Sequence, residues 1–250
     1  MEKLIFALWP DAAADHATWQ QNLLTEAATA LERLGGQRLK ICVADIPAPA
    51  NDPYAEMKRG APSAYVSLWL NSATFWRRID RALAAYGTKR AAYAVAESVI
   101  LPLSRPLPPG ERAPGVLQIA AFATLPQLTR AETLHNWFAL HTDVAVRTQS
   151  TTTYAQNLIT RPLTPDAPAW DAIVEETFPT AALTDRHLYF ATGGSAEILD
   201  RHQAQMAESC ARFIDFPTLC LIMASEFRFG GWADAAYDWH QYQQEQGTEK

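Results

Sequence analysis

A proline-rich stretch near the middle of the chain restricts the possible folds more than any other feature of the sequence. Residues 102–115 read PLSRPLPPGERAPG, with five prolines and two glycines. Proline fixes φ and has no backbone N–H to donate, so this stretch is expected to be a stiff linker outside any helix or central strand. It divides the 250 residues almost into halves. Equal halves are a reason to look for an internal repeat.

Hydrophobic periodicity and turn residues predict the same order of elements, β-α-β-β-α-β, in both halves. In the first half the predicted elements cover, in chain order, 3–9, 15–34, 38–46, 64–70, 75–86 and 91–101. In the second half they cover 116–124, 129–149, 152–160, 171–178, 195–213 and 219–229. Asp15 is a suitable N-cap for the first helix, and Thr129 with Glu132 has the spacing of a capping box.

A unit of this order folds as a ferredoxin-like, four-stranded antiparallel sheet with both helices on one face. The other face of each sheet must be covered. We predict that the two sheets cover each other and close into a barrel with a cavity between them; the alternative is two separate α+β domains that share a modest interface. The predicted parts are a degenerate first repeat at 1–103, a linker at 104–115, a second repeat at 116–229 and an aromatic tail at 230–250.

Charge and composition argue against several classes of protein. Acidic side chains outnumber basic ones by 27 to 21, and no Lys/Arg run exceeds two, so no nucleic-acid partner is expected. No apolar run approaches the roughly 20 residues that a membrane-spanning helix needs, so no membrane partner is expected. Three cysteines without a C-x-x-C pair are typical of free thiols in a reducing compartment, which predicts a cytoplasmic protein. The six histidines are dispersed, and we predict neither a metal nor a cofactor.

Four short motifs follow one another in the second half. The first is RAETLHNWFALH at 130–141, with an acidic residue, an aromatic pair and then a histidine. The others are YAQN at 154–157, DAIVEETF at 171–178, and FID at 213–215 with ASE at 224–226. Together they resemble the first helix, second strand, third strand and closing elements of the EthD family, within the dimeric α+β barrel superfamily. The resemblance covers roughly residues 116–229.

The resemblance implies an intrachain dimeric α+β barrel with one competent cavity. The first half departs from the pattern, because Leu23 stands at the position of His141 and Ser67 at that of Glu175. That half is therefore expected to supply the second sheet without the polar site residues. The family includes proteins from ether-degradation gene sets, and cofactor-free dehydratases or cyclases of polyketide and aromatic metabolism.

His141 is the main candidate for a catalytic residue. With Leu134, Trp137 and Phe138 it falls at i, i+3, i+4 and i+7 spacing, so it lies on the apolar face of its helix and is directed at the sheet. An imidazole with a pKa near 6.5 exchanges protons readily at neutral pH. The alternative is a core histidine bonded to a backbone carbonyl.

Glu175 is the second candidate. Strand alternation sends Glu175 and Glu176 to opposite faces. Glu176 shares its parity with the apolar set that we assign to the helix-packed face, namely Ala172, Val174 and Phe178. Glu175 and Thr177 are then expected to face the cavity, where Glu175 is a second acid/base group or orients the histidine. The alternative is a solvated edge position or a structural ion pair.

The remaining predicted site residues are polar and aromatic. Tyr154 is a candidate donor to an oxyanion, and Asn157 a candidate to hold the substrate or a neighbouring group. Trp137, Phe122 and Thr177 complete the predicted substrate-binding set. The alternative for the aromatic side chains is plain packing in the core, and for Asn157 it is a buried amide bonded to the backbone.

The function expected from these features is a cofactor-independent lyase or isomerase, of dehydratase or cyclase type, acting on a small carbonyl or phenolic metabolite. The protein is expected to be a monomer or a homodimer. One alternative is a non-catalytic carrier of an apolar small molecule. Another is an accessory protein to an oxygenase system, docked through the aromatic tail residues Trp232, Tyr237, Trp239 and Tyr242.

Overall fold

Most strands of the protein are short, largely apolar segments that are buried on both faces. The structure, a computed structural model, describes residues 1–47, 56–58, 60–230, 240 and 243–244. Within these residues all eight predicted strands are confirmed, with ends within a few residues of the predicted ones. They are β1 Glu2–Trp9, β2 Gln37–Val43, β3 Ala64–Leu70, β4 Lys89–Leu101, β5 Val116–Phe122, β6 Thr153–Pro162, β7 Ala172–Phe178 and β8 Cys220–Phe229.

The predicted helices are also present, but the first helix of each half contains a π-helical segment. In the first half, α1 His16–Asn22 continues through the π-helical Leu23–Ala27 into α2 Ala28–Arg33, and α3 covers Trp76–Leu83. In the second half, α4 Arg130–Leu134 continues through the π-helical His135–His141 into α5 Thr142–Thr148. The remaining α-helices described in the second half are α6 Arg186–Tyr189, which the sequence did not predict, and α7 Ala196–Ala211.

The helix starts follow the local sequence. The Asp15 side chain accepts a hydrogen bond from the Thr18 backbone N–H, as predicted for an N-cap. Thr129 and Glu132 form both hydrogen bonds of the predicted capping box. Ser195 caps α7 through the backbone N–H of Ile198. These caps fix where the covering helices begin relative to the sheet.

The strands close into one antiparallel barrel in the order β1-β3-β2-β8-β5-β7-β6-β4. The first four strands lie in the order β4-β1-β3-β2, and the last four in the order β8-β5-β7-β6. These two groups meet along both edges, through β2–β8 and β4–β6 pairing. The prediction of a closed barrel is therefore confirmed, and the alternative of two separate domains is wrong.

Two faces of the sheet bury different side chains. Alternate residues such as Ile5, Tyr93 and Ile119 fill the interior of the barrel. The other face packs against helices, through one apolar cluster in each half of the chain. An eight-stranded barrel has an interior just wide enough for side chains to fill. The expected cavity between the sheets is therefore reduced to a small space of about 60 Å³, which corrects the prediction.

Two further predictions concern the membrane and the tail. No helix in the described part of the chain has the length and apolar character needed to cross a bilayer. The four tail aromatics lie outside the described residues, so their predicted docking role stays a prediction. One described tail residue, Gln243, donates from Nε2 to Asp143 Oδ1 at 2.6 Å, which ties this point of the tail to α5.

Candidate functional site

A cavity of about 370 Å³ lies between the sheet and the helices that cover it in the second half of the chain. Its floor is formed by residues of β5, β7 and β8, and its roof by the π-helical segment, α6 and α7. Aromatic side chains form much of the wall: Phe122, Trp137, Tyr189, Phe190, Phe213 and Phe216. This volume is within the range of small-molecule sites, about 300–1,000 Å³.

A few polar groups interrupt the apolar lining. They include His141, Glu176, Gln118 and Gln149, all of which are buried. The Tyr189 hydroxyl donates to Gln118 Oε1 at 3.2 Å, which fixes one end of that amide. An apolar pocket with a few convergent polar groups is the usual form of a binding or active site.

The helix geometry places His141 over the sheet. Trp137 and His141 are the buried residues of the π-helical segment, with Trp137 fully buried and His141 8% exposed. The Phe213 ring lies edge-on to the imidazole at 5.1 Å between ring centroids. Single π-helical turns within α-helices are rare and are often found at functional sites. The predicted orientation of His141 towards the sheet is therefore confirmed.

The imidazole of His141 is uncharged at neutral pH. Burial lowers its pKa from 6.5 to about 4, because the charged form loses its hydration. Nδ1 lies 3.0 Å from Ser209 Oγ on α7. When Nδ1–H donates to that hydroxyl, Nε2 carries the lone pair that can accept a proton.

Glu176 is a second titratable group of the same cavity. It lies on β7, between Gln118 on β5 and Tyr154 on β6 in the strand register. Burial raises the pKa of its carboxyl group from 4.5 to about 7. Among the described residues, no side chain donates a hydrogen bond to this carboxyl group or forms an ion pair with it.

Glu175, the neighbour of Glu176, has the opposite environment. Its Oε1 lies 2.7 Å from Lys40 Nζ, and its Oε2 lies 3.4 Å from Lys3 Nζ and 3.0 Å from Asn157 Nδ2. Lys3 Nζ is also 2.5 Å from Glu97 Oε1. Burial alone raises the pKa of Glu175, but the two ammonium groups outweigh it and hold this pKa well below its usual range.

The predicted site residues are divided between the two faces of the sheet. His141, Trp137 and Phe122 line the large cavity. Glu175 and Asn157 belong to the ion-pair network inside the barrel. The expected convergence of Glu175 on His141 is not seen, because the sheet lies between them. Side chains alternate between the two faces of β7 as predicted, but the larger free space lies on the helix-packed face.

The other two predicted residues are bonded locally. Thr177 faces the barrel interior and accepts a hydrogen bond from Thr153 Oγ1 at 2.7 Å. Tyr154 lies on the helix-packed face, where its hydroxyl accepts from Gln156 Nε2 at 2.8 Å. It is not among the residues that line the cavity of His141. The proposed substrate-binding role of Thr177 and the catalytic role of Tyr154 stay predictions.

Three site residues were missed by sequence reasoning: Glu176, Gln118 and Ser209. For two of them the sequence carried a signal, since Glu176 shares its parity with Val174 and the other apolar residues of β7, and Gln118 interrupts an apolar strand. A polar group on an apolar face is a sign of a site. No comparable signal marks Ser209, because its role depends on how α7 packs on the π-helical segment.

Within the described residues, no group of three or more His, Cys, Asp or Glu side chains is arranged to hold a metal ion. The three cysteines are free thiols. Burial raises the pKa of Cys210, which lines the cavity, to about 12, so this thiol is not a reactive thiolate at neutral pH. The cavity therefore presents His141 and Glu176 as its groups for proton transfer.

Comparison with known proteins identifies the fold. No protein-family model and no curated protein matches the chain. A solved structure of an anthrone oxidase-like protein has 8% sequence identity and a TM-score of 0.53, with 94% of each chain covered. A candidate monooxygenase from Fusobacterium nucleatum subsp. nucleatum has 8% identity and a TM-score of 0.46, covering 95% of this chain and 97% of that one. A candidate chlorite dismutase has 8% identity and a TM-score of 0.44, covering 91% and 95%.

Similarity at 8% identity shows the fold alone. The chain shares its fold, an eight-stranded antiparallel barrel with helices on its outer face, with the anthrone oxidase-like protein. This fold agrees with the sequence prediction of an α+β protein whose antiparallel strands close into a barrel.

Proposed function

We propose that the protein is a cofactor-independent lyase or isomerase that moves a proton on a small carbonyl or phenolic metabolite. The observation that carries this proposal is the uncharged His141 in an aromatic-walled cavity, with Ser209 bonded to one ring nitrogen. The site is the cavity between sheet and helices, and not the interior of the barrel. An aromatic-walled cavity of this size suits a flat, largely apolar metabolite.

The proposed chemistry follows from the protonation state of the imidazole. A histidine whose pKa is about 4 is in its basic form over the whole neutral range. Its Nε2 can accept a proton from a carbon next to a carbonyl group, or from a phenol. The imidazolium formed is costly in this buried site, which favours rapid return of the proton to another position of the ligand. Such a positioned base typically contributes about 10²–10⁴-fold to a rate.

We further propose that the chain consists of two tandem ferredoxin-like repeats, at 1–103 and 116–229, and that the second belongs to the EthD family. Two observations support the repeat. The strand orders β4-β1-β3-β2 and β8-β5-β7-β6 are equivalent, and the first helix of each half contains a π-helical segment. In the first half that segment contains the fully buried Leu23 in place of a histidine. Only the second half would then be competent for proton transfer.

The test uses 1-indanone, a flat aromatic ketone with exchangeable protons next to its carbonyl group. Binding is followed by quenching of tryptophan fluorescence, and exchange of those protons for deuterium in D₂O is followed by ¹H NMR. We expect His141→Asn to slow exchange by about 10²-fold or more while the ketone still binds. The matched control is His16→Gln, because His16 is exposed and should leave exchange unchanged.

Two results would contradict the proposal. Exchange at the wild-type rate in His141→Asn would remove the histidine from the mechanism. Binding of 1-indanone by the wild-type protein without any catalysed exchange would favour the alternative of a carrier of apolar small molecules.

A further inference from the structure

The carboxyl group of Glu176 has no part in the function proposed so far, although it lines the cavity of His141. Only 8% of Glu176 is exposed. The residues that flank it in the sheet are Gln118 on β5 and Tyr154 on β6. Among the described residues, neither makes a hydrogen bond to its carboxyl group; the Gln118 carbonyl accepts from Tyr189, and the Tyr154 hydroxyl accepts from Gln156.

A buried carboxylate without a partner is unfavourable, because its lost hydration is not replaced. Glu175, one residue earlier, shows the usual solution, with two ammonium groups and an amide around it. Glu176 has no such solution among the described residues, so its stable form in the empty cavity is the neutral carboxylic acid. A neutral carboxyl group has one O–H donor, and a buried donor without an acceptor leaves a hydrogen bond to be made.

We propose that Glu176 is the hydrogen-bond donor of the cavity, and that its neutral carboxyl group binds the carbonyl or phenol oxygen of the ligand. The inference rests on the proposed function, since it assigns the second group of the same site. It selects ligands that present an uncharged acceptor oxygen to Glu176.

The two groups complete a balanced proton transfer. His141 Nε2 takes a proton from the carbon next to the carbonyl group, the electron pair of that C–H bond forms a C=C bond, and the π pair of the C=O bond moves to the oxygen. The Glu176 O–H proton passes to this oxygen, which gives an enol, an imidazolium and a carboxylate. In 1-indanone, return of a proton from the imidazolium to the same carbon, and of the enol O–H proton to Glu176, restores the ketone and gives the proton exchange. In a ligand whose enol is conjugated with a second C=C bond, return of the imidazolium proton to the far carbon of that bond completes an isomerisation with no oxidant or reductant.

Other titratable groups around Glu176 keep their protonation state across the working range. His141 on the π-helical segment has its pKa lowered to about 4 by burial. Burial raises the pKa of Cys210 on α7 to about 12 and places that of Tyr154 on β6 well above its usual value. Arg186 on α6 is an exposed cation that also lines the cavity. Between about pH 4 and pH 7 the histidine is therefore a base while the glutamic acid is a donor, which is the separation that acid–base pairs require.

The experiment measures the affinity for 1-indanone from pH 5 to pH 9, with indane, the hydrocarbon that lacks the oxygen, as the matched ligand. In the wild-type protein, the affinity for 1-indanone should fall by about ten-fold or more as the donor is lost, with its midpoint near pH 7. The Glu176→Gln variant keeps an N–H donor and cannot titrate, so its affinity for the ketone should stay constant. Indane should bind both proteins with no such midpoint.

The outcomes separate this inference from the proposed function. Wild-type affinity for 1-indanone that does not change with pH, or the same midpoint in Glu176→Gln, would overturn the role of Glu176 alone. In His141→Asn, the pH dependence of binding should persist although exchange is lost. Failure of both indane and 1-indanone to bind at any pH would overturn the inference together with the function on which it rests.

Discussion

Replacing Glu176 by glutamine should make the stability of the protein less sensitive to alkaline pH. The carboxyl group has an ordinary pKa of 4.5 and a pKa of about 7 in the folded protein. Between these values the folded state binds more protons than the unfolded state, so stability falls as pH rises. Each pKa unit corresponds to about 1.4 kcal/mol, so the wild-type protein should lose about 3 kcal/mol from this group by pH 8. Below about pH 4.5 the loss is absent.

The measurement is the free energy of unfolding in urea at pH 4, 5.5, 7 and 8.5, for the wild type and for Glu176→Gln. The difference between the two proteins should move by about 3 kcal/mol in favour of the variant from the lowest to the highest pH. His141 titrates in both proteins and cancels in the difference. The control is Glu111→Gln, an exposed position. A difference that stays constant with pH would refute the argument that burial alone sets this pKa.

Three further changes test other parts of the structure. Lys40→Met removes the closest cation from the buried carboxylate of Glu175, so the free energy of unfolding in urea should fall by about 3–5 kcal/mol. The double variant Lys40→Met/Glu175→Leu should recover much of this loss. Ser209→Ala should lower kcat for proton exchange on 1-indanone by about ten-fold with little change in KM. Ser209→Thr keeps a hydroxyl group and should restore kcat. Equal losses of kcat in both variants would argue against a role for the hydroxyl. Gly115→Ala should lower the free energy of unfolding in urea by about 2 kcal/mol or more, because at φ +90° the added Cβ would lie 2.5 Å from a backbone carbonyl oxygen of β7. Gly35→Ala should lower it by less, because Gly35 has a similar φ of +87° but open space around the added Cβ.

The elements of the fold could be predicted from the sequence because each carries a local signal. Short runs rich in aliphatic and aromatic residues mark the strands, and side-chain caps at Asp15, Thr129 and Ser195 mark the helix starts. The π-helical segments were not predicted. A π-helical turn changes the backbone hydrogen bonds without changing which residues are apolar, so periodicity does not reveal it.

The site could be predicted only in part. The face of the sheet to which a strand residue points follows from the local sequence, but the position of the cavity does not. The alternation of side chains along β7 correctly predicted that Glu175 faces the interior of the barrel and Glu176 the helices. The position of the cavity depends instead on how closely the helices approach the sheet, and on how far the side chains of eight strands fill the barrel. Lys3 and Lys40 lie on the interior parity of β1 and β2. They could have indicated that Glu175 would be paired and not free to exchange protons.

Two adjacent glutamates on β7 show why the surroundings, and not the residue type, decide the chemistry. The peptide backbone places Glu175 inside the barrel, where two lysines lower its pKa below the usual range. It places Glu176 on the opposite face, where burial without a cation raises the pKa to about 7. The first carboxylate is bound to partners from both halves of the chain and therefore contributes to closing the barrel. The second is neutral at mildly acidic pH, faces a cavity that also contains an uncharged histidine, and is the one with a proton to give.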